Sequence, residues 1–328
     1  MDDLLVIKGL KTYYYSQSQV TPAVDGFDLR LGKGETIGIV GESGCGKSTV
    51  ARSILGLYDR SYTRIEDGEI LFHGQDLTKL RAKDLNRIRG SRISVIFQNP
   101  LTSLNPVFSI GNQIAEVLRV HTDMDKQQIY DRCIQLLKMV EIPSPEERMM
   151  DYPHQLSGGM QQRVMIAIAL ACNTEIIIAD EQTTALDVTI QAQILDLIRH
   201  LNEEFKTSMI LITHNMGVVA EMCQRVLVMY GGVVVEEAGV NELFGNPLHP
   251  YTQGLLAAIP SVDEDKDELY TIRGTVPKFR LPIKSCRFAD RCSKVFDRCW
   301  GSEPLLYNDT NNRKVRCFLY AGEGKLGE

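Results

Sequence analysis

The sequence predicts a layered α/β domain that is interrupted by a helical segment and followed by a small cysteine-rich appendage. Short apolar runs alternate with helix-like patterns over the first two thirds of the chain, and the strand signal fades between Leu101 and Leu156. Such alternation is typical of helices packed on a mostly parallel sheet. We therefore assign residues 1–248 to the α/β domain, with a helical subdomain at about 101–158, and residues 249–328 to a C-terminal region.

The predicted strands are apolar runs bounded by glycine, polar or charged residues, as expected for buried strands. These runs are Leu4–Lys8, Thr36–Val40, Ile93–Phe97, Ile176–Asp180, Met209–Thr213 and Gly232–Glu236. Apolar residues recur at helical spacing in the predicted helices. These are Ile110–Val120, Lys126–Val140 and Ile190–Phe205.

Composition restricts the class of protein. A chain of 328 residues with 44% hydrophobic residues can bury a large core and can hold two domains. The net charge of −6 argues weakly against a nucleic-acid partner. No run reaches the roughly 18 apolar residues of a membrane-spanning helix, and the first residues are acidic where a secretory signal is basic. We expect a cytoplasmic protein whose membrane association runs through a partner.

A phosphate-binding loop is predicted directly after the strand Thr36–Val40. The string GESGCGKST, residues 41–49, matches the pattern G-x-x-x-x-G-K-[ST] between a strand and a helix. Lys47 would reach the β- and γ-phosphates, and Ser48 would bind Mg²⁺. A glycine-rich turn before a helix is the alternative. The expected nucleotide-binding residues are Gly41, Ser43, Gly44, Cys45, Gly46, Lys47, Ser48 and Thr49.

Two carboxylates end a later strand in the string IIIADE, residues 176–181. Asp180 is placed to hold Mg²⁺ through water, and Glu181 to polarise the water that attacks the γ-phosphate. Many strands end in acidic residues before a turn, so the pair alone is weak evidence for a catalytic site. It becomes strong evidence because a phosphate loop precedes it in the chain. Together the two motifs predict a nucleotide phosphatase, a class that kinases, GTPases, helicases and transport ATPases all share.

A third string narrows the class. LSGGMQQR, residues 156–163, resembles the LSGGQ signature of the ABC ATPases, with Met160 in place of the usual glutamine. Ser157, Gly158 and Gly159 open a helix whose N-terminus favours anions. An N-capped helix with a flexible start would explain the serine but not the whole string. The resemblance covers nearly the whole chain and implies a P-loop α/β core, an antiparallel β portion and an inserted helical subdomain.

The same resemblance implies further functional residues. Gln98 matches the glutamine that senses Mg²⁺ and contacts the membrane subunit, and Asp187 lies in a match to the D-loop. His214 matches the switch histidine that contacts the γ-phosphate. Among Tyr13–Tyr15, the spacing favours Tyr14 as the aromatic residue that binds adenine. The implied catalytic residues are Lys47, Gln98, Glu181 and His214, and the implied Mg²⁺ ligands are Ser48, Gln98 and Asp180.

In this family the active unit is a head-to-tail pair of ATPase subunits. The phosphate loop of one subunit binds ATP, and the signature of the other subunit completes the binding site. The signature residues of this chain are Ser157, Gly158, Gly159 and Gln161. The chain has one ATP-binding cassette and therefore needs a second ATPase subunit as its partner. We expect this partner to be a paralogue.

Two segments resemble bacterial oligopeptide/dipeptide importers: FQNPLTSLNP, residues 97–106, and HPYTQGLLAAIP, residues 249–260. The resemblance implies two transmembrane permease subunits, an extracellular solute-binding protein and a peripheral position at the cytoplasmic face of the membrane. Nickel or another small solute is an alternative cargo. A soluble ABC ATPase of translation or DNA repair usually carries two cassettes or a long coiled-coil insertion, which this chain lacks. A non-catalytic module would need a damaged catalytic set.

Cys286, Cys292, Cys299 and Cys317 lie close together in the sequence, which indicates a metal site in a reducing compartment. Their spacing lacks the C-x₂-C pairs of structural zinc and fits neither common ferredoxin pattern. The spacing leaves the metal open, whereas the family resemblance implies a 4Fe–4S cluster, with zinc or four unpaired structural cysteines as alternatives. The nearby cations would offset the thiolate charge or form a solvated face: Arg287, Arg291, Lys294 and Arg298.

Three residues depart from the family pattern. Gln182 replaces the proline after the catalytic glutamate, which removes the restraint that proline places on the preceding backbone. Asn215 and Asn99 replace frequent acids. None of these three substitutions removes a reacting group. We therefore expect the protein to hydrolyse ATP, at a rate that the sequence does not predict.

Overall fold

The computed structural model describes residues 3–17, 19–97, 99–181, 188–259, 271–277, 279–309 and 313–321. The chain divides into two compact units. The unit called here the helical unit contains Gly32–Glu35 and Lys79–Leu211, and the terminal unit contains Asp3–Leu31, Thr36–Thr78 and the described residues from Ile212 onward.

The strands are, in chain order, β1 (Asp3–Ser16), β2 (Gln19–Gly32), β3 (Thr36–Val40), β4 (Thr63–Phe72), β5 (Gln75–Asp76), β6 (Ile93–Ile96), β7 (Ile176–Asp180), β8 (Ser208–Thr213), β9 (Arg225–Tyr230), β10 (Val233–Gly239), β11 (Tyr307–Asn308) and β12 (Lys314–Val315). The helices are α1 (Lys47–Leu55), α2 (Ala82–Asn86), α3 (Pro100–Ser103), α4 (Ile110–His121), α5 (Lys126–Met139), α6 (Pro145–Arg148), α7 (Gly158–Ala169), α8 (Val188–Phe205), α9 (Met216–Met222), α10 (Val240–Gly245), α11 (Pro250–Ala257) and α12 (Asp297–Gly301).

The terminal unit contains two groups of strands. One has the order β2-β1-β4-β5, in which β4 is antiparallel to both β1 and β5. In the other, β3 pairs parallel with β9, and the antiparallel strands β10, β12 and β11 follow. All five residues of β3 are buried. The predicted mixture of a P-loop α/β core and an antiparallel portion is therefore confirmed.

The helical unit packs its helices on a parallel strand pair. β6 and β7 run parallel, with Ile93 beside Ile176, and α7 contacts α3, α4, α5 and α8. Side chains fix the helix starts: Ser109 caps α4, and Asp125 forms a capping box with Gln128 at α5. These starts agree with the predicted helices at residues 110 and 126. The division between the units runs through β8, whose last two residues belong to the terminal unit.

The prediction of a separate cysteine-rich appendage is not supported. The described residues of this region belong to the terminal unit, and Val315 of β12 pairs with Glu236 of β10. Tyr251 of α11 is fully buried, as are the side chains of Arg287 and Arg313. An exposed appendage cannot bury arginines in this way, because a buried charge needs a buried partner. The sequence did not identify the core carboxylates that supply those partners.

Strand lengths also differ from the prediction. β1 extends to Ser16, well beyond the predicted end at Lys8, because its later residues pair with β4 although they are not uniformly apolar. Among the described helices, none is long and apolar enough to cross a membrane.

Candidate nucleotide-binding site

The phosphate loop of the terminal unit connects β3 to α1, and its glycines are required by geometry. Gly41, Gly44 and Gly46 have φ values of 152°, 81° and 109°, a region that residues with a side chain rarely adopt. A Cβ atom on Gly41 would lie 2.2 Å from the carbonyl oxygen of Met229, and one on Gly46 would lie 2.2 Å from that of Ala23. The loop can therefore close tightly only with glycine at these positions.

Lys47, the first residue of α1, is buried in the phosphate loop. Its Nζ donates to the carbonyl oxygens of Gly41 at 2.8 Å and of Glu42 at 3.1 Å. Ser43 and Gly44 are exposed at the rim of the loop. The loop thus encloses a positive charge and leaves rim backbone accessible, as the binding of phosphate oxygens requires.

Cys45 and Ser48 have different surroundings in the same loop. Cys45 is fully buried, and burial raises the pKa of its thiol. The backbone N–H of Cys45 donates to the carbonyl oxygen of Glu42 at 3.3 Å. A buried neutral thiol is a poor nucleophile. We therefore assign Cys45 a structural role, which is to fill the loop and help to close it. Ser48 is half-buried.

The three adjacent tyrosines of β1 have separate partners. The hydroxyl of Tyr14 lies 2.9 Å from Oγ1 of Thr49 in α1, and its ring lies 6.3 Å from that of Tyr62. Tyr13 donates to Asp25, and Tyr15 donates to Glu66. Of the three, Tyr14 is the one whose hydroxyl contacts the helix that follows the phosphate loop. Its proposed contact with adenine is compatible with this position.

The carboxylate pair lies in the helical unit at the end of β7. Asp180 is half-buried and closes the strand, while Glu181 has a φ of 47°. A left-handed conformation in a residue other than glycine is costly and is frequent at functional sites. Gln98, Gln182 and Asp187 lie outside the described residues.

His214 follows β8 in the terminal unit and is exposed. The next residue, Asn215, caps α9: its side-chain oxygen accepts the N–H groups of Gly217 and Val218. Its own N–H donates to Thr213 Oγ1 at 3.0 Å. Asparagine is as good a helix cap as aspartate, so the departure from the family pattern at this position leaves the turn that holds His214 intact.

The signature segment begins α7 in the helical unit. Ser157 caps this helix by accepting the N–H of Met160, and Ser157 and Gly158 are exposed. Gln161 is buried, and its side chain donates to the carbonyl oxygens of Pro153 and Leu156. The structure therefore places Gln161 inside the turn, while Ser157 and the first glycine face solvent.

The four clustered cysteines do not form a recognisable metal site. Among the described residues, no group of three or more cysteine, histidine, aspartate or glutamate side chains is arranged to hold a metal ion. Burial, together with neighbouring thiols, raises the pKa of Cys286 to about 12 and that of Cys317 to about 11. Because a bound metal would itself displace these protons, the raised pKa values do not decide the question, and what the described residues show is only that no preformed 4Fe–4S or zinc centre is arranged at these thiols.

The predicted role of the nearby cations is also wrong for two of them. Arg287 donates to Asp25, Glu303 and the carbonyl oxygen of Gly231, each at 2.6 Å. Arg291 is paired with Glu42 of the phosphate loop. Neither side chain forms a solvated face, since their exposed fractions are 3% and 5%. Sequence spacing gave no signal for the pairs of Arg287 with Asp25 and of Arg291 with Glu42, whose members lie more than two hundred residues apart.

Comparison with known proteins agrees with this arrangement. Residues 24–184 match the family model described as ABC transporter, and residues 235–299 match the C-terminal region of oligopeptide/dipeptide transporters. The oligopeptide transport ATP-binding protein AppD of Bacillus subtilis is 52% identical over 99% of both chains. The dipeptide transport ATP-binding protein DppD of the same organism is 44% identical and covers 97% of this chain and 95% of its own.

A solved structure extends the comparison. The ATP-binding cassette MJ0796, in a dimeric post-hydrolysis state bound to ADP and Pi, matches with a TM-score of 0.65 and 30% identity. The match covers 72% of this chain and 98% of that one. The chain belongs to the ABC transporter family and is an ATPase whose hydrolysis is coupled to transport. Within that family it carries the C-terminal region of the oligopeptide/dipeptide branch.

ATP and Mg²⁺ follow from this family membership. Hydroxyl and carboxylate oxygens are the ligands that Mg²⁺ prefers, and both Ser48 and Asp180 offer such oxygens without being fully buried. Their chemistry therefore fits the ion.

Proposed function

We propose that this chain is the ATP-hydrolysing subunit of an importer for di- and oligopeptides, bound peripherally at the cytoplasmic face of the membrane. The observation that carries the proposal is the match of residues 235–299 to the oligopeptide/dipeptide transporter region. Relatives that are similar over nearly the whole chain are named as oligopeptide and dipeptide transport proteins. That similarity favours peptides over nickel and over a soluble ABC ATPase.

In the proposed site, Tyr14 stacks on adenine, while Lys47 and the phosphate-loop N–H groups bind the phosphates. Ser48, Asp180 and Gln98 would hold Mg²⁺, which when bound offsets the charge of the β- and γ-phosphates. Glu181 orients the attacking water and accepts its proton, and His214 contacts the γ-phosphate. Support for these roles is the enclosed charge of Lys47 and the strained backbone of Glu181 at a strand end.

A second ATPase subunit is proposed to supply the signature residues. Ser157 and Gly158 are exposed at the start of α7, so they are accessible to a nucleotide held by another chain. Gly159 would contribute its backbone in the same way, and Gln161 would support the turn from inside. We expect the partner to be a paralogue, so that this chain alone with ATP stays monomeric while the mixture of both subunits forms the dimer.

The helical unit presents a surface suited to the permease. A cavity of about 670 Å³ is lined by Ala115, Met124, Ile129, Tyr130, Met149 and Met150, and Met150 is 74% exposed. Such an apolar surface on one side of a unit favours a protein partner. We propose a cytoplasmic segment of the permease as its occupant. Met150→Glu should then reduce peptide uptake while the ATPase activity of this chain mixed with its partner ATPase subunit stays intact. Uptake at the wild-type level would argue against this contact.

We also propose a 4Fe–4S cluster at the four cysteines, which the family resemblance implies. Its support is the common neighbourhood of the four thiols, since Cys299, Cys317 and Cys292 all raise the pKa of Cys286. Ligation would require the side chains to rearrange. Protein purified without oxygen should contain iron and sulfide, and both should be lost in Cys292→Ser but kept in Cys172→Ser, which lies in the helical unit. Protein without iron in every preparation, or with zinc alone, would rule the cluster out.

The proposed function is tested by uptake of labelled dipeptides, longer peptides and nickel in cells that carry wild-type protein or Glu181→Gln. Loss of peptide uptake alone supports the proposal and gives the cargo length. Loss of nickel uptake alone would replace peptide by nickel as cargo. Unchanged uptake of all three, in cells without a redundant system, would contradict an import function for these solutes.

A further inference from the structure

Glu42, a residue within the phosphate loop, is held at each of its polar groups. Its N–H donates to the hydroxyl oxygen of Tyr251 at 2.9 Å, and its carbonyl oxygen accepts from Lys47 Nζ. Its carboxylate accepts two hydrogen bonds from Arg291, with distances of 2.6 Å and 2.9 Å. A loop residue with an ordinary solvent-facing role would not need partners from two distant parts of the chain.

Arg291 is itself fixed in a single position. Its Nε donates to the carbonyl oxygen of Arg273 at 2.9 Å, and its guanidinium lies 5.7 Å from the centre of the Tyr230 ring. Only 5% of its side chain is exposed, compared with 28% for Glu42. Two parallel hydrogen bonds from a guanidinium to a carboxylate restrict orientation more than a single contact does. The C-terminal region therefore reaches the phosphate loop through a rigid pair.

The pair also solves an electrostatic problem. A carboxylate in a loop that binds the phosphates of ATP repels them, and this repulsion grows where solvent is partly excluded. Arg291 neutralises that carboxylate and keeps it turned toward the C-terminal region. Without the guanidinium, Glu42 would leave a free negative charge beside the bound nucleotide.

We propose that Arg291 is a positioning residue for nucleotide binding, which acts through Glu42 and does not touch ATP. Residues 235–299 match the C-terminal region of oligopeptide/dipeptide transporters, and Arg291 lies within this region. Through the pair of Arg291 with Glu42, the region would contribute directly to nucleotide affinity. The inference rests on the proposed assignment of residues 41–49 to the phosphates of ATP.

Binding of MgATP to the full-length protein at low and high salt tests the proposal. Arg291→Ala should weaken binding about tenfold at low salt, and the defect should shrink at high salt because surface repulsion is screened. Arg291→Lys should lie between wild type and Arg291→Ala. The double variant Arg291→Ala/Glu42→Gln should recover most of the affinity, since it removes the unpaired charge. Arg298→Ala is the matched control, because Arg298 is an exposed arginine of the same region that stacks on Phe318.

Thermal unfolding should first show that all variants are folded. Failure of the double variant to recover affinity would then overturn the proposal, because a loss of affinity caused by a general loosening of the fold is not repaired by Glu42→Gln. Unchanged affinity in Arg291→Ala would overturn it as well. Lys47→Ala separates this result from failure of the proposed site: if Lys47→Ala binds MgATP like wild type, the assignment of the phosphate loop is wrong. If Lys47→Ala loses binding while Arg291→Ala does not, only the role of Arg291 is wrong.

Discussion

The guanidinium of Arg313 lies 2.9 Å from the carboxylate of Glu236, and both side chains are almost completely buried. Glu236 also accepts the N–H groups of Leu248 and His249. One buried carboxylate thus joins β10, the start of α11 and the segment before β12. This relationship explains why the C-terminal region is part of the terminal unit.

Removal of Arg313 should destabilise the terminal unit strongly. Arg313→Ala leaves the buried charge of Glu236 without its cation, which typically costs about 3–5 kcal/mol in the free energy of unfolding. Chemical denaturation should show this loss. Lys314→Ala is the control, because the neighbouring pair of Lys314 with Glu237 is partly exposed and should contribute about 1 kcal/mol or less. Equal effects of the two substitutions would contradict the buried pair.

His249 should make stability depend on pH. Its Nδ1 accepts the N–H of Tyr251 at 3.0 Å. Burial, with a smaller contribution from the positive charge of Arg316, lowers the pKa of His249 to about 3. The unfolded chain protonates this group near its ordinary pKa of about 6.5, whereas the folded chain does not. The contribution of His249 is therefore present above about pH 6.5 and is lost as pH falls toward 3, at up to about 1.4 kcal/mol per pH unit.

The variant His249→Asn isolates this effect, because asparagine can keep the helix cap but does not titrate. The free energy of unfolding should fall less steeply between pH 6.5 and pH 4 in His249→Asn than in wild type. Parallel curves for the two proteins would show that His249 is not held neutral in the folded state.

Tyr14 should bind adenine through its ring. Tyr14→Ala should raise the Kd for ATP by about tenfold or more, since stacking of a base on an aromatic side chain contributes about 1–3 kcal/mol. Tyr14→Phe should keep most of the affinity, because it retains the ring and loses only the contact with Thr49. Tyr15→Ala serves as control, as Tyr15 contacts Glu66. A larger loss in Tyr15→Ala than in Tyr14→Ala would move the adenine site.

Glu181→Gln should bind ATP but hydrolyse it at least about a hundredfold more slowly, as expected when an acid–base group is lost. Single-turnover hydrolysis with the partner subunit present would measure this change. Glu175→Gln is a matched substitution just before the same strand, where Glu175 pairs with Arg92 at the surface, and it should retain turnover. Near-normal hydrolysis by Glu181→Gln would contradict its proposed role.

Local motifs determined much of this protein from the sequence alone. The strand Thr36–Val40 followed by residues 41–49 predicted the phosphate loop, because loop closure there depends on glycines whose spacing is visible in the sequence. The strand Ile176–Asp180 was also predicted with its observed bounds. The helix starts that the apolar pattern predicted at residues 110 and 126 coincide with caps that act over three residues. Each of these features depends on interactions between near neighbours in the chain.

Tertiary structure alone decided how the C-terminal region is attached and what its arginines do. Arg291 and Glu42 are separated by 249 positions, and Arg287 and Asp25 by 262. No local pattern in the sequence predicts such a pair. In the sequence, a charged residue that has a buried partner looks the same as a charged residue on a solvated face. The physical reason is that a buried ion pair is specified by where the folded backbone brings two side chains, whereas a cap or a tight turn is specified by the adjacent residues themselves.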